Sequence, residues 1–167
     1  PLPEAQLDRF FFKLEVGYSS RKDLSEILNR TTTGLTPKLE RVLDANSIME
    51  HQQLVRRVVI APHVQDYAVR LVLATHPQGE LSTPQVNQFL RFGASPRAAQ
   101  ALVLAGKVKA LLDGRANVSI DDIRSSALPA MRHRCLLNFE GEAEGIKTDT
   151  VLQNIVETLP VDVAVAA

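Results

Sequence analysis

From residue 20 onward the apolar residues recur at helical spacing, and most runs carry a recognisable helix start or stop. Ser20-Arg21-Lys22-Asp23 resembles a capping box with Asp in the usual Glu position, and Leu24, Ile27 and Leu28 share one face behind it. Ser47-Ile48-Met49-Glu50 has the same pattern ahead of Leu54, Val55, Val58 and Val59. Pro62 opens a helix bearing Val64, Tyr67, Ala68, Leu71 and Val72. Ser95 and Pro96 suit the N-cap and first position of a helix that ends near Asp113, with Gly114 as its C-cap. Ser119-Ile120-Asp121-Asp122 starts another helix, which Pro129 should kink or divide and which continues through Leu137. Thr148 or Asp149 caps a last helix carrying Leu152, Ile155, Val156 and Leu159. The stretches 31–37 and 140–145 read as loops, and the tail from Val161 to Ala167 is expected to fray. A bundle of about five or six helices is predicted.

The exception lies before residue 20. Phe10-Phe11-Phe12-Lys13-Leu14-Glu15-Val16 begins as an apolar run and then alternates, the pattern of a short buried strand. No second convincing strand follows. Either the segment belongs to a sheet outside this chain or it packs irregularly. The predicted fold class is therefore mainly α, a helical bundle preceded by a short orphan strand.

Composition removes several classes of function. Lys and Arg total 19 and so do Asp and Glu, which argues against a dedicated nucleic-acid binder or a polybasic membrane anchor. The single cysteine, Cys135, rules out an internal disulfide and fits a reducing cytoplasm. No apolar run is long enough to span a bilayer. His51, His63, His76 and His133 lack metal-ligand spacing, and Cys135, beside Met131, Leu136 and Leu137, reads as a buried inert thiol. No GxSxG elbow, no GxxxxGK[ST] phosphate loop and no apolar strand ending in paired acidic residues is present.

Two arginines stand out by position. Arg9 sits between a short helical stretch and the orphan strand, where a surface arginine paired with Asp8 or Glu4 is the plain reading. Arg97 falls at the second position of its helix, where the macrodipole disfavours a cation. It either reaches into solvent or converges with the helix N–H groups on a docked anion. Arg132 and Arg134 read as helix-surface ion pairing, and Arg56 and Arg57 as a solvated face.

Three segments carry a resemblance. Pro1-Leu2-Pro3-Glu4-Ala5-Gln6-Leu7-Asp8-Arg9-Phe10 resembles the segment near the end of the ATPase core in MoxR-family AAA+ ATPases. Phe89-Leu90-Arg91-Phe92-Gly93-Ala94-Ser95-Pro96-Arg97-Ala98 resembles that family's sensor 2 motif, and Leu128-Pro129-Ala130-Met131-Arg132-His133-Arg134 its late lid helix. They occur in the family's order and at similar separations. The resemblance runs from Pro1 to about Leu159.

It implies that residues 1–19 are the end of an α/β ATPase core, 20–160 the all-helical lid, and 161–167 a tail. The phosphate loop and acidic magnesium motif would lie upstream of Pro1, so this chain by itself is expected to be inactive, while its parent would bind and hydrolyse ATP with Mg2+. Arg9 matches the arginine finger, acting on the neighbouring subunit's nucleotide in a homo-oligomeric ring, commonly a hexamer. Arg97 matches the sensor 2 arginine, reaching the phosphates of its own subunit. The family is associated with chaperone-like maturation of client enzymes, alongside partners with von Willebrand factor A domains. The competing reading is a self-contained helical protein-interaction module without nucleotide chemistry.

Overall fold

The computed structural model describes residues 2–34 and 36–161. The helices are α1 (Glu4–Leu7), α2 (Arg21–Thr32), α3 (Ala45–Arg57), α4 (Pro62–Leu73), α5 (Pro84–Phe89), α6 (Pro96–Leu112), α7 (Ile120–Met131), α8 (Phe139–Ala143) and α9 (Thr148–Thr158). Two short strands, β1 (Leu90–Phe92) and β2 (Leu136–Leu137), accompany them. The predicted helical class holds. The described residues up to Lys13 and from Gln53 on form one compact unit, and Leu14–Gln52 form a second. These are divisions of packing. The boundary expected at 19/20 separates core from lid by family architecture, which is a different division.

In the first unit α6 packs on α4 and α7, and α9 covers α7 and α5. Tyr67, Leu71, Leu102, Ile123, Met131, Leu152 and Ile155 are fully buried between them. Small residues let α6 approach closely: Ala98, Ala101, Ala105, Gly106 and Ala110 all lie on its buried side. A Cβ at Gly106 would press on Val118 and Ile123. Local chemistry sets the ends. Ser119 and Asp122 form a reciprocal capping box on α7, and the left-handed Gly114 (φ 70°) follows the end of α6. Asp122 is also held by Arg115 at 2.7 Å, which, ahead of its bonds from Ser119, brings its carboxyl down to about 2 against an opposing push from burial.

Several expected boundaries move. Pro129 does not divide α7, which runs on past it for two residues; the helix ends at Met131 and the chain enters β2 rather than continuing helically to Leu137. β2 pairs antiparallel with β1 across an irregular register, Leu90 opposite Leu137 and Phe92 opposite Leu136. The acidic stretch expected as a loop contains α8, because Asn138 accepts from the Gly141 N–H at 2.9 Å and caps a short turn of helix. Lys147 occupies the N-cap of α9, so Thr148 is its first helical residue and not its cap. The 161–167 tail lies, beyond Val161, outside the described residues.

The second unit is built from local signals. The Ser20–Asp23 capping box forms as expected at the start of α2. At α3 the cap moves upstream, because Asp44 Oδ1 takes both the Ser47 N–H and the Ser47 hydroxyl at 2.8 Å. Neither α2 nor α3 has a buried residue, and Leu24, Ile27, Leu28, Ile48, Met49 and Leu54 are exposed.

The expected strand over Phe10–Val16 is not formed; this stretch is a bend followed by irregular backbone. No described strand lies alongside to complete a ladder, and its backbone groups bond elsewhere. Lys13 donates its N–H to the Pro129 carbonyl at 2.9 Å, and the Phe10 and Phe11 carbonyls accept from side chains of the turn after α7. Phe12 packs against the core, while Phe10 and Phe11 stay exposed. Within this chain the segment packs irregularly.

Candidate functional site

The start of α6 is fixed by a close approach. Gly93 passes so near His76 and the Thr75 carbonyl that a Cβ there would overlap both. Without that side chain, Ala94 donates its N–H to Thr75 Oγ1 at 2.8 Å, and its carbonyl lies 2.9 Å from His76 Nε2. Ser95 then caps the helix, Pro96 takes the first position and Arg97 the second, as the sequence indicates.

An anion sits at this helix start, and it comes from the chain itself. Ser95 Oγ donates to Asp8 Oδ1 at 2.6 Å, and Arg97 Nη1 donates to Asp8 Oδ2 at 2.8 Å. Arg134 Nε reaches Asp8 Oδ1 at 3.1 Å. Burial pushes the Asp8 carboxyl up, but the bonds from Ser95, Arg97 and Arg134 outweigh it and hold it below its usual value. Arg97 thus converges with the Ser95 hydroxyl on an anion at the helix start, here the Asp8 carboxylate. It is half exposed and ion-paired to Asp8.

Arg134 departs most from expectation. Its side chain is 3% exposed, so the reading as a helix-surface ion pair fails. It follows α7 in a turn that aims it inward, where it donates to the Asp8 carbonyl at 3.0 Å, to Phe10 O at 2.7 Å and to Phe11 O at 3.3 Å. It also bonds the Ala130 carbonyl. A guanidinium has five fixed donors, and this one spends them on a carboxylate and a row of carbonyls. His133 adds a contact from Nε2 to Phe10 O at 2.9 Å, and burial chiefly holds its imidazole below the usual value and so neutral. Arg132 grips Asp149 through two nitrogens, at 3.0 and 2.7 Å, and donates to Lys13 O. The run Arg132-His133-Arg134 therefore fastens residues 8–13 from one side.

Arg9 lies in the turn after α1, exposed, within the fastened stretch. Among the described residues its guanidinium has no ion-pair or hydrogen-bond partner, so the expected pairing with Asp8 or Glu4 does not form. Arg97 and Arg9 meet the same short element, Arg97 through the Asp8 side chain and Arg9 through the peptide bond that follows it. Cys135 is buried, and burial pushes its thiol up to about 12, which matches the inert reading. Sequence reasoning missed Asp8 and Arg134 as site residues. Their separation of 126 positions leaves no local pattern to find.

Comparison with known proteins agrees with this architecture. The family described as the AAA lid domain matches residues 84–155. The chain is 34% identical over 160 residues to chaperone MoxR1 of Mycobacterium tuberculosis, covering 95% of this chain and 42% of that protein. It is 29% identical over 174 residues to protein MoxR of Methylorubrum extorquens, covering 95% and 50% respectively. A crystal structure from Cytophaga hutchinsonii, of a protein regarded as an ATPase, superposes with a TM-score of 0.90 at 30% identity, over 96% of this chain and 49% of that one. The chain spans about half the length of the curated relatives it matches. A likeness that runs along nearly the whole chain, in sequence and in fold, makes it a member of the MoxR family of AAA+ ATPases, whose helical lid domain it carries.

Proposed function

We propose that this chain supplies the lid and the intersubunit arginine of an ATP-hydrolysing ring, with Arg97 reading the phosphates of its own subunit and Arg9 completing the neighbour's site. The observation that carries the reading is the anion at the start of α6. The Ser95 hydroxyl and the Arg97 guanidinium already converge on a carboxylate, and the same donors suit a phosphate oxygen. Arg9 stays exposed on a fastened turn, as a group meant for another surface must.

ATP is the substrate, and Mg2+ supplies charge neutralisation at its phosphates when bound; no residue of this chain is assigned to the metal. Arg9 offers fixed donors to the transferring phosphoryl group as charge spreads over its oxygens, a contribution worth about 10³-fold or more in comparable systems. Arg97 loses its contact when the γ-phosphate leaves, which lets the lid shift. In this reading residues 1–19 end the ATPase core and 20–160 form the lid, the ring is a hexamer, and this chain alone has no turnover. The work is chaperone-like maturation of a client enzyme in the cytoplasm, with a von Willebrand factor A protein as partner. The name of the Mycobacterium tuberculosis relative, a chaperone, supports that role.

The test is ATP turnover of the full-length protein, wild type beside Arg9→Ala, singly and mixed. Arg9→Ala should bind ATP yet lose about 10³-fold in rate, and mixing should depress activity more steeply than dilution. Arg97→Ala should instead weaken ATP binding, by about tenfold or more for a charge-assisted bond. Full activity in both variants overturns the reading and leaves a helical binding module.

A further inference from the structure

Asp8 stands where the proposed reading needs a phosphate. Its carboxylate takes the Ser95 hydroxyl on one oxygen and Arg97 on the other. Its remaining partner differs in kind. Arg134 is 3% exposed and tied to three further carbonyls of the same stretch, whereas the Arg97 side chain is 50% exposed and makes its one side-chain bond to Asp8. One of these arginines is a permanent anchor; the other is free to exchange.

We infer that the Asp8 carboxylate is an internal competitor for Arg97, holding the arginine while no nucleotide is bound, so that ATP must draw Arg97 away from it. This rests on the reading of Arg97 as the phosphate-sensing arginine. A half-exposed ion pair is weak, worth a few-fold at most, so a polyanion displaces it readily. After the exchange Asp8 keeps Ser95 and Arg134, and the stretch remains docked. What changes is the charge balance on the residue directly before Arg9. Occupancy of one subunit's nucleotide is thereby felt at the arginine directed to the next subunit, and Asp8 acts as a positioning residue for both.

The experiment measures the affinity of the full-length protein for a slowly hydrolysed ATP analogue carrying sulfur on the γ-phosphate. The variants are wild type, Asp8→Asn, Arg97→Ala and the double variant. Asp8→Asn keeps the shape and an acceptor for Ser95 while removing the charge that holds Arg97. It should bind the analogue about two- to fivefold more tightly while unfolding at a lower temperature, since Arg134 loses its counter-ion. Structural damage alone does not tighten binding. In the Arg97→Ala background the gain should vanish. If it persists there, Asp8 acts only through the general field and the inference is overturned. If Arg97→Ala weakens binding but Asp8→Asn has no effect or weakens it too, the inference fails while the reading of Arg97 stands. If Arg97→Ala leaves binding unchanged, that reading fails and takes the inference with it. Should Asp8→Asn not fold, Asp8→Glu keeps a charge for Arg134 but loses register with Arg97, and must also tighten binding.

Discussion

Residues 2–13 and residues 14–52 adjoin in sequence, and neither stretch contains a buried residue among those described. They are nevertheless organised by opposite means. The first has four residues of helix and otherwise irregular backbone, yet several of its carbonyls and the Asp8 carboxylate are held by buried side chains more than a hundred residues away. The second has two well-formed helices with good caps and amphipathic faces, and its order comes from bonds between residues three or four apart. Regular structure and tertiary anchoring are thus separate properties. A segment can be held firmly with almost no secondary structure, and can be helical with nothing packed on its apolar stripe.

The largest expected effect falls on the anchor. Arg134→Met removes the guanidinium but roughly keeps its volume, leaving Asp8 without its buried partner and the carbonyls of Asp8, Phe10 and Phe11 without donors. We expect a loss of about 3 kcal/mol in denaturant unfolding, together with release of residues 2–13. Leu28→Gln, on the exposed face of α2, should cost less than about 0.5 kcal/mol in the same assay. Similar losses in the two variants would erase the contrast.

Acid should loosen the anchor in two stages. Burial lowers the His133 pKa in the folded chain, so its contribution is complete above the ordinary value of 6.5 and is lost as pH falls below it. Burial raises Asp8, but its bonds from Ser95, Arg97 and Arg134 win and lower it, and Asp122 is lowered by Arg115 above all. Their contributions are complete above 3.8 and lost below it, for Asp122 as pH approaches about 2. A thermal-unfolding series across pH 7 to 2 should therefore fall first below 6.5 and again below 3.8. A midpoint that is flat down to pH 4 would remove His133 from the account.

The smallest effects separate cap from core. Ser119→Ala and Ser20→Ala delete the same kind of reciprocal cap. Each should cost about 1 kcal/mol of helix stability. At Ser119 the loss should appear in global unfolding, because α7 carries Ile123, Ala127 and Met131 into the core. At Ser20 it should appear only as reduced helicity of α2, which buries nothing.

Much of this was legible in the chain. The caps at Ser20, Ser95 and Ser119, the proline at 62 and the glycine at 114 announce helix ends, because the chemistry that makes an end lies within four residues of it. The segment 10–16 misled for a physical reason. Alternation marks a strand only where one face is covered, and here Leu14 and Val16 are exposed with no described strand alongside, while of the three phenylalanines Phe12 packs against the core. β1, β2 and α8 were too short to leave a period, although Asn138 ahead of Gly141 was a usable sign of a cap. At the site, the position of Arg97 could be read, because a cation at a helix start is locally anomalous. Its partner could not be read, because Asp8 to Arg97 and Asp8 to Arg134 are contacts between distant stretches with nothing periodic about them.

The central claim is that the Arg9-bearing segment is fastened by side chains of the turn after α7, and hydrogen exchange of the 167-residue chain, beside Arg134→Met, tests it most directly. The account predicts slow exchange at the Lys13 amide, which is bonded to the Pro129 carbonyl, and a large acceleration there in the variant. Exchange at Lys13 in the wild type as fast as in the exposed irregular stretch 14–19 would contradict it.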